Sequence, residues 1–288
     1  MIVLSKKNCV TRSASERRRL LEKTITTMGA FPVVYRYCRE LSPTPSAFAR
    51  HCHDGYELIY ISEGDGRFIV EGSAYEVRPG TILFFRPREY HYVDISPGTP
   101  YERQVIHFSR ESVDPGVGIF FDLLDAPSFG EGNCYSESDL PREFTALLRG
   151  FDAVLKLEGE KSAVFCRTRL ADLIVMLATS DSRSGTQVSE KLGARVVRYL
   201  NDHIETGETL DDLAKRFLVS KFYLCRSFKE HNGISIHGYL TRKRVMIAKS
   251  RIEDGVPAAV AAQQVGFGDY SAFFRAYRRI VGRSPRET

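Results

Sequence analysis

The C-terminal hundred residues repeat themselves, and no other feature constrains the fold as much. Residues 223–235 (YLCRSFKEHNGIS) align with 272–284 (AFFRAYRRIVGRS) at a constant offset of 49. Arg226 meets Arg275, Phe228 meets Tyr277, Lys229 meets Arg278, Gly233 meets Gly282 and Ser235 meets Ser284. Upstream, Ala214 matches Ala262 at an offset of 48, so the second copy has one extra residue in its turn. A repeat of this length is one supersecondary unit used twice.

Each copy reads as helix, tight turn, helix. Thr209 suits the N-cap of a helix over 210–217, Leu218-Val219 form the turn, and Ser220 caps a second helix that runs to about Glu230 and ends at Gly233. In the second copy a helix over 256–265 is followed by Gly266-Phe267-Gly268, then by Asp269 as the next N-cap. Residues 237–253 read as one longer connecting helix.

Leu224 and Phe228 lie four apart, as do Phe273 and Tyr277, so each pair forms the apolar stripe that packs inward. Phe222, Cys225, Arg226 and Lys229 then face elsewhere on the first helix, and Arg275, Arg278 and Arg279 do so on the second. An exposed arginine near a helix N-terminus suits bidentate pairing to guanine in the major groove of double-stranded DNA. Lys221, Lys229, Arg278 and Arg279 suit phosphates. Charge agrees: residues 189–288 hold 18 Lys and Arg against 11 Asp and Glu, whereas residues 1–188 hold 23 against 25. A polyanion partner is expected for the C-terminal part only.

The N-terminal part follows a different period. Residues 31–113 contain short apolar and aromatic runs (56–61, 67–71, 74–77, 81–85, 103–108) broken by glycine turns, the pattern of a small barrel or jelly roll. Residues 139–157 and 162–179 show apolar residues three and four apart, an amphipathic helix pair. The expected organisation is a polar leader at 1–30, helical from Ser15 in part, a barrel at 31–113, a helical segment at 114–180 that dimerises the chain, a linker at 181–188 and a helical DNA-binding domain at 189–288. The fold class is thus α+β in two domains: a β-barrel with flanking helices, then an all-α double helix-turn-helix domain.

Two resemblances sharpen this. LDDLAKRF, VSKFYLCRSFKEHNGIS, Arg244 with Ala248, VGFGDYSAFFRAYRR and VGRSP resemble the AraC/XylS family of bacterial transcription regulators across residues 193–286. The resemblance implies Phe222, Cys225 and Arg226 as base-reading positions on the first helix and Tyr270, Ser271 and Arg275 on the second. It also implies contact with RNA polymerase. Two positions depart from the family: Leu218 stands where a glycine is usual, so another turn conformation is expected there, and Cys225 stands where a hydrogen-bonding side chain is common. His51-Cys52-His53 followed by Glu57, Gly64, Gly80, Pro87 and His91 resembles the cupin motif, which implies a barrel with a central pocket.

In metal cupins such a set, here His51, His53, Glu57 and His91, binds one divalent ion, though no cofactor is required of a sensor. Effector-binding candidates are His51, His53, Glu57, Arg86, His91 and Tyr37. Tyr35, Arg50, Tyr90, Tyr92 and His107 are further pocket candidates. Their aromatic and polar mix suits a sugar or small carboxylate. A metal-dependent enzyme or a metal or redox sensor fused to the DNA-binding domain is the rival reading, with Cys52 and Cys225 as its thiols. Six scattered cysteines without a CxxC pair fit free thiols in the cytoplasm. No apolar run is long enough for a membrane span.

Overall fold

The computed structural model describes residues 18–25, 32–43, 50–180, 191–204 and 206–288. The N-terminal domain is built from nine strands and three α-helices among the described residues. The strands are β1 (Arg18–Ile25), β2 (Val33–Glu40), β3 (Tyr56–Glu63), β4 (Gly66–Val70), β5 (Ser73–Val77), β6 (Thr81–Phe85), β7 (His91–Ile95), β8 (Tyr101–Phe108) and β9 (Cys134–Ser136). They form two antiparallel sheets, ordered β1-β2-β8-β3-β6-β9 and β5-β4-β7. Ile59, Ile61, Leu83, Phe85 and Val105 of the larger sheet meet Phe68, Val70, Tyr75, Val77, Val93 and Ile95 of the smaller one, forming the core of the barrel.

The outer face of the larger sheet is covered by α1 (Gly118–Asp125), α2 (Arg142–Arg149) and α3 (Glu160–Ala178). Leu170, Leu173, Ile174 and Leu177 of α3 are fully buried in one cluster with Leu58, Tyr60, Phe84 and Ile106. The apolar stripe that argued for dimerisation through residues 114–180 is therefore spent on the barrel's own sheet.

The first thirty residues are not uniformly a leader. Residues 18–25 form β1, an edge strand paired along its length with β2, from Thr24 opposite Val34 to Leu20 opposite Cys38. Ile25 is buried, and Lys23 donates from Nζ to the Val154 carbonyl at 2.9 Å. These tertiary contacts override the helical reading of a charged stretch. The expected linker at 181–188 lies outside the described residues.

The C-terminal domain contains α4 (Leu192–Asp202), α5 (Leu210–Arg216), α6 (Lys221–Asn232), α7 (Ile236–Glu253), α8 (Ala258–Gln264) and α9 (Tyr270–Val281). Its caps follow the sequence reading. Thr209 accepts from the Asp212 amide, Ser220 from the Tyr223 amide, and Asp269 from the Ser271 and Ala272 amides. Gly233 and Gly282 close α6 and α9 in the left-handed region.

The first turn departs from expectation. Leu218 adopts φ +55°, the conformation that Gly266 takes in the second copy at +84°. The amides of Leu218 and Val219 donate to the Lys215 and Ala214 carbonyls, as those of Gly266 and Phe267 do to Gln263 and Ala262. The helix ending is thus the same in both copies. Leu218 is 91% exposed and accepts the backbone strain without packing in return. Leu218→Gly is expected to stabilise the chain by about 0.5–1 kcal/mol, the relief of left-handed strain less the added freedom of the unfolded chain. A rise in the urea midpoint at unchanged slope checks this.

Candidate functional site

Two sites take shape, one in each domain. In the helical domain, Leu224 and Phe228 of α6 and Phe273 and Tyr277 of α9 are completely buried, as their spacing requires. The opposite faces are open. Phe222 is 77% exposed, and Lys221, Arg226, Lys229, Tyr270, Ser271, Arg275, Arg278 and Arg279 are all exposed, while Cys225 is half-buried. Tyr223, also exposed, belongs to this surface and was not singled out by spacing. Arg226 holds Glu230 at 2.8 Å and Lys221 holds Asp211 at 2.8 Å. Both are solvent-exposed pairs of the kind that contributes little, so either cation can leave its partner for DNA at small cost.

In the barrel, His51, His53, Glu57 and His91 offer ligand atoms that all lie within 4.8 Å of one another. Glu57 sits on β3 next to inward-facing Ile59, and His91 opens β7. His107 joins them from β8, with Nε2 2.9 Å from Glu57 Oε1. His53 and His91 bring Nε2 to 3.1 and 3.0 Å from Glu57 Oε2. His53 Nδ1 lies 2.8 Å from the Gly55 carbonyl and His91 Nδ1 2.8 Å from the Glu89 carbonyl. A carbonyl only accepts, so Nδ1 carries the proton in both rings and Nε2 is the group turned toward the carboxylate. His91 Nε2 is buried and off the hydrogen-bond direction despite its short distance.

The other candidates lie elsewhere. The register of β2 with β8 sets Tyr35 opposite Ile106 and Tyr37 opposite Gln104. Both tyrosines therefore share the outer, helix-covered face and do not enter the barrel. Arg86 is buried against Glu89 and donates to the Ser128 carbonyl at 2.8 Å and the Glu131 carbonyl at 3.1 Å, so it pins the loop before β9. Arg50, Tyr90 and Tyr92 face the helical domain. Burial pushes the Cys52 thiol up to about 11, the opposite of what a redox-sensing thiolate needs.

Burial opposes charge on Glu57, but the positive charge of and hydrogen bond from His107, with contacts from His53 and His91, hold its carboxyl well below the usual range. Burial likewise opposes charge on His53, yet its hydrogen bond to Glu57 and that carboxylate's charge raise it above its ordinary 6.5. The sign of each contribution follows from linkage. The Glu57 contribution is present above its ordinary 4.5 and is lost only as pH falls through the depressed value. The His53 contribution is complete below 6.5 and is lost as pH rises through the elevated value. Denaturant unfolding is expected to show stability falling as pH rises above 6.5, and His53→Gln is expected to flatten that fall.

The domains meet over a polar contact. The turn between β4 and β5 carries Glu71, φ +48°, with its carboxylate buried. That carboxylate accepts from the Tyr90 amide at 2.6 Å, from Asn201 Nδ2 at 3.1 Å, and from Tyr239 Oη and Lys243 Nζ. Beside it, His231 Nε2 lies 3.2 Å from the Gly72 carbonyl. Tyr90 packs in one apolar cluster with Val196, Leu213, Leu224, Phe228 and Tyr239 of the helical domain.

Comparison with known proteins finds a family match for each domain. A model described as "AraC-like ligand binding domain" matches residues 33–174, and one described as "Helix-turn-helix domain" matches 213–288. A similar relative is the "Uncharacterized HTH-type transcriptional regulator YbfI" of Bacillus subtilis (strain 168), 26% identical over 227 residues, 78% of this chain and 80% of the relative. The "HTH-type transcriptional activator RhaS" of Citrobacter koseri is 25% identical over 247 residues, 84% of this chain and 87% of that protein. Among solved structures, ToxT from Vibrio cholerae is 14% identical and aligns over 94% of this chain and 97% of its own at a TM-score of 0.35. With both halves matched in order, a ligand-binding domain ahead of a helix-turn-helix domain, the protein belongs to the AraC family of DNA-binding transcription regulators, which are not enzymes.

Proposed function

We propose that this chain regulates transcription in response to a small neutral, hydroxyl-rich effector such as a sugar, bound at His51, His53, Glu57, His91 and His107. The observation that carries the reading is the convergence of three imidazoles, those of His53, His91 and His107, on the buried Glu57 carboxylate, with the exposed His51 beside them. Glu57, held ionised by the imidazoles around it, accepts from hydroxyl groups, and the imidazoles donate to or accept from them in turn, which suits a sugar. The naming of RhaS as an activator supports activation as the mode, with promoter DNA and RNA polymerase as partners in the cytoplasm. Arg226 and Arg275 read bases with Phe222, Cys225, Tyr270 and Ser271 around them, and Lys221, Lys229, Arg278 and Arg279 neutralise phosphates.

A second reading is favoured by the histidine geometry. Two Nδ1 protons anchored on carbonyls leave both Nε2 atoms free of backbone partners and within 3.1 Å of one carboxylate, the outer-shell arrangement that orients metal-binding histidines. The donor set of His51, His53, Glu57 and His91 fits a divalent transition metal, which would supply a fixed positive charge for a hydroxyl ligand.

Thermal unfolding of the full chain with a panel of monosaccharides, polyols, small acids and divalent metals tests both. A ligand at about 100 times its Kd adds about 2.7 kcal/mol of stability, and Glu57→Gln is expected to abolish that gain. If only acids raise the Tm, or if Glu57→Gln keeps the full response, the sugar reading is wrong.

A further inference from the structure

We infer that residues 50–54 and 88–92 form a two-sided ribbon that transmits occupancy of the histidine cluster directly to the first reading head. This rests on the cluster being the effector site.

Side chains alternate across an extended segment, and around the bridge between His51 and His91 each side serves a different domain. The segments are joined by backbone hydrogen bonds between His51 and His91, at 2.9 and 3.2 Å. Inward, His51, His53 and His91 reach the cluster. Outward, the Arg50 guanidinium lies 4.2 Å above the Tyr92 ring and directly against Gly233, where a Cβ would collide with it. Cys52 packs on the cluster containing Tyr239, and Asp54 pairs with Lys249. On the second segment the Arg88 carbonyl accepts from Lys243 at 2.8 Å, Tyr90 meets the Tyr239 ring edge-on at 5.7 Å, and Tyr92 donates to the His231 carbonyl at 2.8 Å.

These partners lie on the C-terminal end of α6 and on α7, the first reading head and its connecting helix. A molecule held jointly by the three histidines and Glu57 fixes the ribbon and so tightens the outward grip on α6 and α7. Coupling then runs through a direct contact of folded parts and needs no signal through residues 181–188.

Hydrogen exchange on the full chain decides this by comparing wild type with His53→Ala and His51→Ala. Both are expected to speed exchange of amides 231–249 about tenfold while 270–281 keep the wild-type rate. His51 is exposed and tolerates replacement, so it decides the matter if the His53 variant does not fold. Val105→Ala, an inward residue of β8 away from the ribbon, is expected to leave 231–249 at the wild-type rate. Unchanged exchange at 231–249 in the histidine variants, or equal acceleration at 270–281 or in the Val105 variant, overturns the inference. In a second arm Zn(II) is titrated into wild type by calorimetry and exchange is repeated. Binding that slows 231–249 supports transmission, and binding without slowing overturns it. Failure of Zn(II) to bind removes the metal reading of the site, and the histidine variants still decide transmission.

Discussion

Lys243→Met is expected to destabilise the chain by about 3–5 kcal/mol, because it leaves the buried Glu71 carboxylate without its cation. Glu71 and Lys243 are both almost fully buried, and Lys243 belongs to α7 while Glu71 belongs to a barrel turn. The loss is therefore felt at the domain contact first. Glu71→Gln in the Lys243→Met background is expected to recover most of it, since the remaining amide oxygen still accepts from Tyr239 and no unpaired charge is left. Denaturant unfolding of the wild type, both single variants and the double variant closes the cycle. Additive losses would show that the two groups act independently, against the contact drawn between them.

The second large effect concerns DNA. Arg226→Ala combined with Arg275→Ala is expected to weaken binding to the cognate site by roughly 2–6 kcal/mol, from about 1–3 for each reading arginine and near-additivity of changes on separate helices. Fluorescence anisotropy at fixed salt measures it. The slope of log affinity against log salt is expected to change little, because phosphate contacts set that slope. Substituting Lys229 or Arg278 instead is expected to reduce the slope by about one each, with less effect on sequence preference. A double variant that bound its site like wild type would disprove the assignment of the reading faces.

Much of the helical domain is legible in the sequence because its signals are local. Thr209, Ser220 and Asp269 cap helices within three residues of themselves, and the 3–4 spacing of Leu224 with Phe228 marks a face whatever else the chain does. The barrel site is legible to the extent that His51, His53 and Glu57 lie within one short stretch and alternate with residues that face the other way. What escapes is set by register and by distant partners. Whether Tyr37 faces the pocket depends on its pairing with Gln104, which no local spacing encodes. Residues 18–25 become a strand only because β2 offers an edge and Val154 a carbonyl. Arg50, Tyr90 and Tyr92 look like pocket residues because they neighbour pocket residues. Their partners, Gly233, Tyr239 and His231, stand well over a hundred positions away. Leu218 shows the converse: its intrinsic preference argues against the left-handed turn, and the helix-ending hydrogen bonds at Lys215 and Ala214 prevail.

The cluster that joins Tyr90 and Cys52 to Val196, Phe228 and Tyr239 bears on how such regulators can be recombined. A cut at residues 181–190 follows the seam in composition but splits a shared core, stripping Tyr239 and Lys243 of the carboxylate they surround. A DNA-binding half transplanted from a relative would meet a barrel whose outward residues, Arg50, Asp54 and Tyr92, were fitted to different helices. Functional chimeras should therefore exchange those outward positions together with α4 to α7 and leave the inward histidines with the barrel.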